Sequence, residues 1–235
     1  SDGEQSKISY ATYIKHRLNG FDGDSPRRTP KDLEEYPAFS IRASSSGGVP
    51  TYSRPQCVGP ISVKDLKPLE VDLQNFKDAL SASESTDAFM NAASPGVIAQ
   101  FQPNQHYPDH SSYLYALADA MKVEYEGIAE AGLVIQIDSP DLALGRHVLF
   151  KDQSDEEFVT MAELHIEALN HALQNIPAEQ LRLHVCWGNY QGPHHCDIEM
   201  KKILPAVLKA KPMALSFEGA NPRHSHEWSV FRDAK

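Results

Sequence analysis

The sequence predicts a protein of the α/β class, in which parallel strands are joined by helices. Short apolar runs alternate with longer amphipathic stretches through the second half of the 235 residues. The composition, with 41% hydrophobic and 23% charged residues, is typical of a folded chain with a sizeable core. Because strand–helix–strand units give parallel pairing through right-handed crossovers, either a doubly wound sheet or a (β/α)8 barrel fits this pattern.

The N-terminal part of the chain is less regular. Apolar residues at three- and four-residue spacing predict a helix over 9–18. From 22 to about 60 the chain is punctuated by proline and by the run SSSGG, and we interpret it as a long excursion, either a lid or an insertion. A short helix is expected over 72–80 and a short buried strand over 97–101.

The remaining elements follow in regular order. Apolar stripes predict the helices, and short apolar runs between turn residues predict the strands. The predicted helices are 113–131, 154–175 and 198–210, and the predicted strands are 133–137, 181–186 and 213–217. No glycine-rich nucleotide-binding turn opens any of these helices, which disfavours the dinucleotide-binding form of the doubly wound sheet.

Charge and composition disfavour several classes of function. The formal net charge of −10 would repel a polyanion, so no nucleic-acid partner is expected. No apolar run approaches the roughly 18 residues that cross a bilayer, so no membrane association is expected. Three cysteines are too few for a disulfide framework in a chain of this length, which predicts a cytoplasmic location. A homo-oligomer is left open.

Polar side chains follow three successive predicted strands. Asp138 follows the first strand, His184 and Cys186 end the second, and Glu218 follows the third. Because carboxyl ends of parallel strands meet at one edge of a sheet, these residues predict a shared site.

The pair His184 and Cys186 is the centre of this site. Residues two apart on a strand point to the same face, and an imidazole beside a thiolate makes half of a tetrahedral zinc site. The alternative is a satisfied core histidine beside a small buried cysteine. Glu218 would add an oxygen ligand, although it could instead be a cap or an ion-pair partner of Arg223. Asp138 could likewise cap the following turn.

Two further groups of histidines stand outside the strands. The run HHC at 194–196 follows a Gly-Pro turn, so we interpret it as a surface loop, with a metal site as the alternative. His224 and His226 belong to a loop or helix start, where either would line a pocket.

Several strings of the sequence resemble cobalamin-independent methionine synthase, in a shorter branch with a single barrel. The most specific are HVCWGNY at 184–190 and SFEGANPRH at 216–224, and DGE at 2–4 and QID at 136–138 resemble further segments of that family. The resemblance runs through nearly the whole chain. Epoxyalkane:coenzyme M transferase and uroporphyrinogen decarboxylase share the superfamily.

The resemblance implies a fold and a domain organisation. Residues 1–235 would form a single TIM-barrel catalytic domain with a loop excursion at about 22–60. The barrel would be incomplete, because the family pattern includes strands at both ends and a further cysteine ligand that this sequence does not contain.

The resemblance also assigns roles to residues. The zinc ligands would be His184, Cys186 and Glu218, the substrate-binding residues Glu4, Asp138 and Asn189, and the catalytic residue His224. The substrates would be a small thiol such as homocysteine and a methyl or alkyl donor, for example a methylated folate. Zinc coordination would deprotonate the thiol and so make it a good nucleophile. The alternatives are an epoxide-opening thiol transferase and a non-catalytic, truncated or degenerate barrel.

Overall fold

A computed structural model describes residues 10–25, 28–46, 54–188 and 192–232 of the chain. The described strands form two separate sheets. Strands β1 (Leu18–Asp22) and β2 (Gln56–Val63) pair antiparallel. Strands β3 (Phe89–Ala93), β4 (Val134–Asp138), β5 (Leu181–Val185) and β6 (Ala214–Phe217) form a parallel sheet in the order β3-β4-β5-β6. The predicted α/β class is confirmed.

Helices connect these strands and flank the parallel sheet. In the described ranges the α-helices are α1 (Tyr10–Arg17), α2 (Lys31–Glu35), α3 (Pro37–Ser46), α4 (Lys67–Ser81), α5 (Pro95–Phe101), α6 (His110–Glu130), α7 (Gly145–Val148), α8 (Asp155–Ala172) and α9 (Met200–Val207). Among them, none combines the length and apolar character needed to cross a bilayer. Helix α8 begins at a capping box, in which the Ser154 hydroxyl accepts from the Glu157 N–H and the Glu157 carboxylate accepts from the Ser154 N–H.

The alternation of burial along β5 shows how the parallel sheet is oriented. Leu181, Leu183 and Val185 are buried in the hydrophobic core, whereas Arg182 and His184 are only partly buried. Because successive side chains of a strand point to opposite faces, the core covers one face of the sheet and the other face is polar. The polar face is therefore the one on which residues are available for chemistry.

One predicted element is wrong. Residues 97–101 were expected to form a buried strand, but they belong to helix α5, and the strand is β3, just before it. The Ser94 hydroxyl accepts from the Val97 N–H at 2.9 Å and Pro95 occupies the first helical turn, so the chain turns into a helix here. A short apolar run does not by itself distinguish a buried strand from a buried helix.

The N-terminal excursion has secondary structure of its own. It contains helices α2 and α3, and β2 returns along β1. The predicted helix over 9–18 ends at Arg17 because Leu18 already begins β1. In β1, Gly20 has a φ of +93°, and a Cβ there would lie 2.7 Å from the Gly59 carbonyl oxygen, so the close approach of the two strands requires glycine.

Candidate functional site

Three polar residues lie side by side where the parallel strands end. Asp138 on β4 pairs with His184 on β5, which pairs in turn with Ser216 on β6. Paired residues of neighbouring strands point to the same face of a sheet, and the His184 Nδ1 atom lies 3.3 Å from the Ser216 hydroxyl oxygen. His184 therefore sits on the polar face of the sheet, rather than in the core behind it.

Cys186 and Glu218 each lie two residues beyond a paired position, on the continuations of β5 and β6. The Glu218 carboxylate accepts from the Trp187 N–H at 3.3 Å and from the Asn221 side-chain amide. Glu218 thus ties the two strand ends together, and the alternative of an ion pair with Arg223 is not what the structure shows.

The Cys186 thiol lies in a negatively charged environment. Burial, together with the charges of Glu218, Asp138 and Asp141, raises its pKa to about 11, against a lowering hydrogen bond from the Gly188 backbone. A thiol that is held protonated by burial and by carboxylates is a weak nucleophile. A cation bound among these groups would reverse that effect, because it favours both the thiolate and the carboxylates.

Asp138 is oriented by two side-chain amides. Its carboxylate accepts from Asn91 Nδ2 at 3.2 Å and from Gln136 Nε2 at 2.9 Å. Both partners lie on neighbouring positions of the same sheet face, so the carboxylate is aimed across the sheet rather than capping the turn that follows β4.

The structure brings four of the predicted site residues to one edge of the sheet: Asp138, His184, Cys186 and Glu218. Their predicted roles are not tested by this placement. Glu4 and Asn189 lie outside the described residues.

His224 belongs to a different set of contacts. Its ring is 4% exposed and stacks on Trp187, with 3.8 Å between ring centroids and 8° between ring planes. Its Nε2 atom lies 2.9 Å from the Asp197 carboxylate. Trp187 in turn donates its indole N–H to the Ile198 carbonyl at 2.7 Å, so His224 is held rigidly in place next to the strand that carries Cys186.

The run at 194–196 is not simply a surface loop. The His194 side chain is 3% exposed and its Nδ1 atom lies 2.8 Å from the Asp197 carboxylate. The backbone N–H of Cys196 donates to Asp32 at 2.9 Å, and only His195 of this run is exposed. The Gly-Pro turn predicted a loop correctly, but not that the loop folds inward.

Sequence reasoning missed the charged cluster to which this loop belongs. Three triads of described side chains have ligand-type atoms within 4.8 Å of one another, namely Asp32–His195–Cys196, His194–Asp197–His224 and Asp32–His147–Asp197. The predicted zinc ligands His184, Cys186 and Glu218 do not form such a tight triad within the described part of the chain. In the sequence only the HHC run at 194–196 pointed to a metal site here, because the cluster unites this run with distant residues such as Asp32 and His147.

A second buried network lies beneath the strand ends. Asp141 accepts from the Ser94 hydroxyl at 2.7 Å and contacts His165 Nδ1 at 2.8 Å, and His165 Nε2 lies 2.8 Å from His110 Nε2. Burial, followed by the charge of His165, lowers the pKa of His110 to about 4. The network links the segments after β3 and β4 to helices α6 and α8.

The fold and the site together define an α/β protein whose polar residues converge at the carboxyl ends of parallel strands, where enzymes of this class bind their ligands. No protein-family model matches the chain.

Comparison with known proteins gives a consistent result. The chain is 26% identical over 220 residues to a methionine synthase of Saccharolobus solfataricus, covering 92% of this chain and 56% of that protein. It is also 26% identical over 191 residues to a methionine synthase of Sulfurisphaera tokodaii, covering 81% of this chain and 46% of that protein. The resemblance to methionine synthase seen in the sequence is confirmed, and the chain spans about half the length of these relatives.

The fold agrees with the sequence comparison. A B12-independent methionine synthase from Shewanella sp. W3-18-1, solved in complex with selenomethionine, superposes with a TM-score of 0.53 at 20% identity. The match covers 88% of this chain and 52% of that one.

Proposed function

We propose that the chain is part of a zinc-dependent methyl- or alkyltransferase that activates a small, homocysteine-like thiol, as in methionine synthase. The observation that carries the proposal is the convergence of Asp138, His184, Cys186 and Glu218 at one edge of the parallel sheet. The similarity to methionine synthases supports the methyl-transfer class.

The proposal includes a barrel. The four parallel strands neighbour one another in sequence order, without the reversal of order that marks a doubly wound sheet. This order is that of consecutive strands in a (β/α)8 barrel, and the face that carries His184 would be turned towards the barrel axis. Residues 1–235 would then be a single, partial barrel domain.

The residues at the strand ends fit a zinc ion in their chemistry. Imidazole, thiol and carboxylate are the usual zinc ligands, and His184, Cys186 and Glu218 supply one of each. The carboxylates around Cys186 give this place an excess of negative charge that a cation would balance. When bound, zinc would lower the pKa of a substrate thiol and so supply a thiolate at neutral pH.

The chain's own side chains would bind and orient the substrates. Asp138, fixed by Asn91 and Gln136, would accept from the ammonium group of the thiol substrate, together with Glu4. Asn189, just beyond β5, would also contact the substrate. His224 is proposed as the catalytic residue, because its ring is fixed between Trp187 and Asp197 and would hold a proton near the site.

The second substrate would be a methyl donor, such as a methylated folate. An epoxide-opening thiol transferase is the closest alternative, since it would use the same activated thiol and differ only in the electrophile. A cytoplasmic location fits an enzyme that depends on a reduced Cys186.

Substitution of Cys186 by serine tests the proposal. Cys186→Ser is expected to lower both the zinc content and the rate of methyl transfer to homocysteine, because a hydroxyl stays protonated where a thiol ionises. Metal content is measured by plasma mass spectrometry on protein purified without a histidine tag. Cys57→Ser, which removes a buried thiol from β2 in the other sheet, is the matched control. Unchanged zinc content in Cys186→Ser would remove Cys186 from the ligand set.

A further inference from the structure

The buried cluster around His147 has unsatisfied polar atoms. His147 is fully buried, and neither of its ring nitrogens makes a hydrogen bond to a described residue. Asp32 Oδ2 lies 3.5 Å from its Nε2 atom, and Asp197 Oδ1 lies 3.3 Å from its Nδ1 atom. Asp197 Oδ1 also lacks a hydrogen-bond partner within the described ranges. Buried polar groups are normally paired, so these atoms call for a partner that the described part of the chain does not supply.

The distances and charges of the cluster fit a metal ion. Two ligands about 2.0–2.1 Å from a tetrahedral ion lie roughly 3.3 Å apart, a typical nitrogen–oxygen separation for zinc ligands that are not hydrogen-bonded to each other. Asp32 is fully buried and the Asp197 side chain is 7% exposed. Two buried carboxylates with a neutral imidazole carry a charge of about −2, which a divalent cation would neutralise.

We propose that Asp32, His147 and Asp197 bind a divalent transition-metal ion, zinc in the first place, at a site separate from the one that contains Cys186. One ligand-type atom from each of the three side chains lies within 4.8 Å of the other two. One ring nitrogen of His147 binds the ion.

The neighbouring triads are less suitable as the primary site. In one, His194 Nδ1 and His224 Nε2 already lie at hydrogen-bond distance from the same Asp197 oxygen, at 2.8 and 2.9 Å. In the other, His195 is exposed and its Nε2 atom is engaged by Glu35 at 2.6 Å. These side chains form an outer layer that holds the two carboxylates in place around His147.

The ion would join three segments that are distant in the sequence. Asp32 lies on helix α2 of the N-terminal excursion, His147 on helix α7 after β4, and Asp197 in the loop after β5. A metal at this point fixes the excursion to the strand-end loops next to the candidate site. The donors are nitrogen and oxygen only, in contrast to the thiol-containing set at the strand ends.

Zinc stoichiometry tests the site. Apo-protein is loaded with Zn²⁺ alone, freed of excess ion and analysed by plasma mass spectrometry. If both sites exist, the full protein binds about two ions per chain, and Asp197→Asn and Cys186→Ser each bind about one. The affinity of the His147 site for Zn²⁺ is expected to fall more than about 100-fold in Asp197→Asn, since even the loss of an outer partner costs 10–100-fold.

Cobalt substitution separates the two sites. A thiolate-bound Co²⁺ ion shows a strong near-ultraviolet charge-transfer band, which a site of nitrogen and oxygen ligands lacks. Asp197→Asn should keep this band and lose part of the visible d–d absorption. Cys186→Ser should lose the band and keep the d–d absorption of the ion at the His147 site. If the proposed function is wrong but the His147 site exists, the full protein binds a single ion. Cys186→Ser then retains this ion and Asp197→Asn loses it.

Two variants complete the test. Asp119→Asn removes a carboxylate from an exposed pair with His171, at 2.6 Å, and should leave the stoichiometry unchanged. If Asp197→Asn does not fold, as judged by circular dichroism, His147→Gln replaces it, because glutamine keeps a polar side chain of similar length. Full retention of bound zinc and d–d absorption in a folded Asp197→Asn or His147→Gln protein would overturn the proposal.

Discussion

At the residue scale, Gly96 is the glycine, among those of the described residues, at which an added Cβ atom would have the least room. A Cβ at this position would lie 1.9 Å from Asp141 Oδ2 and 2.5 Å from His165 Nδ1. Both atoms belong to the buried Ser94–Asp141–His165–His110 network, which cannot move aside without losing hydrogen bonds. Gly96 is thus required by the polar network rather than by the conformation of helix α5.

Gly96→Ala is expected to lower the free energy of unfolding by about 1–3 kcal/mol, the usual cost of overpacking, plus the cost of any hydrogen bond that breaks. The measurement is the midpoint of urea unfolding. Gly59→Ala is the matched control, because a Cβ there would meet only the Gly20 Cα atom at 3.9 Å. Equal shifts for the two variants would contradict the packing argument.

The candidate site divides into residues that the sequence could and could not predict. His184 lies on β5 and Cys186 is the first residue beyond it, so the face they share was predicted from the period of an extended strand alone. Asp32, His147 and Asp197 come together only through tertiary packing of three loops and helices. Separations of this kind leave no periodic or local signal in one sequence.

At the element scale, strands β4, β5 and β6 were the most predictable part of the fold, whereas β3 was not predicted. Strand β5 was expected over 181–186 and is Leu181–Val185, and β6 was expected over 213–217 and is Ala214–Phe217. Their apolar residues form short runs between turn residues, which is a strand signal. The error at 97–101 arose where a capping serine and a proline outweighed the same kind of signal.

A buried cation, Arg17, helps to attach helix α1 to the rest of the molecule. The Arg17 side chain is 6% exposed and pairs with Asp72 on α4 at 2.5 Å and with Glu124 on α6 at 2.8 Å. Its guanidinium also lies over the Tyr13 ring, 4.7 Å from the centroid. Three helices thus meet at one charge.

Arg17→Met is expected to reduce the free energy of unfolding by roughly 3–5 kcal/mol, because it removes the positive charge that faces two largely buried carboxylates. Thermal and urea unfolding measure this loss. Lys122→Met, which breaks a more exposed pair with Glu126 at 3.9 Å, should cost less than about 1 kcal/mol. Adding Glu124→Gln to Arg17→Met should recover part of the stability, and no recovery would show that charge is not the cause.

At the scale of the whole molecule, two groups of polar residues lie near the ends of the parallel strands. Asp138 and His184 lie on the polar face of the sheet, and the cluster around His147 joins helices α2 and α7 to the loop after β5. The excursion, whose function the sequence left open, supplies Asp32 to this cluster. The excursion and the loop after β5 are therefore in contact next to the candidate site.

One part of the pH dependence of global stability comes from His110. Its pKa is about 4 in the folded protein, below the ordinary value of 6.5, because of burial and then the charges of His165 and Arg28, against Asp141 and Asp109. On acidification the unfolded chain therefore binds a proton at His110 before the folded protein does. The contribution of His110 to stability is complete above about pH 6.5, declines as the pH falls towards 4, and changes no further below that.

His110→Gln isolates this contribution, since glutamine retains a donor towards His165 but does not titrate. The free energy of unfolding is measured by urea titration at several values between pH 7 and pH 4, in parallel for the two proteins. The wild-type protein should lose more stability over this interval than His110→Gln does, although carboxylates elsewhere contribute a common slope to both. Parallel curves would mean that His110 titrates normally and is more exposed to solvent than the His110–His165 contact implies.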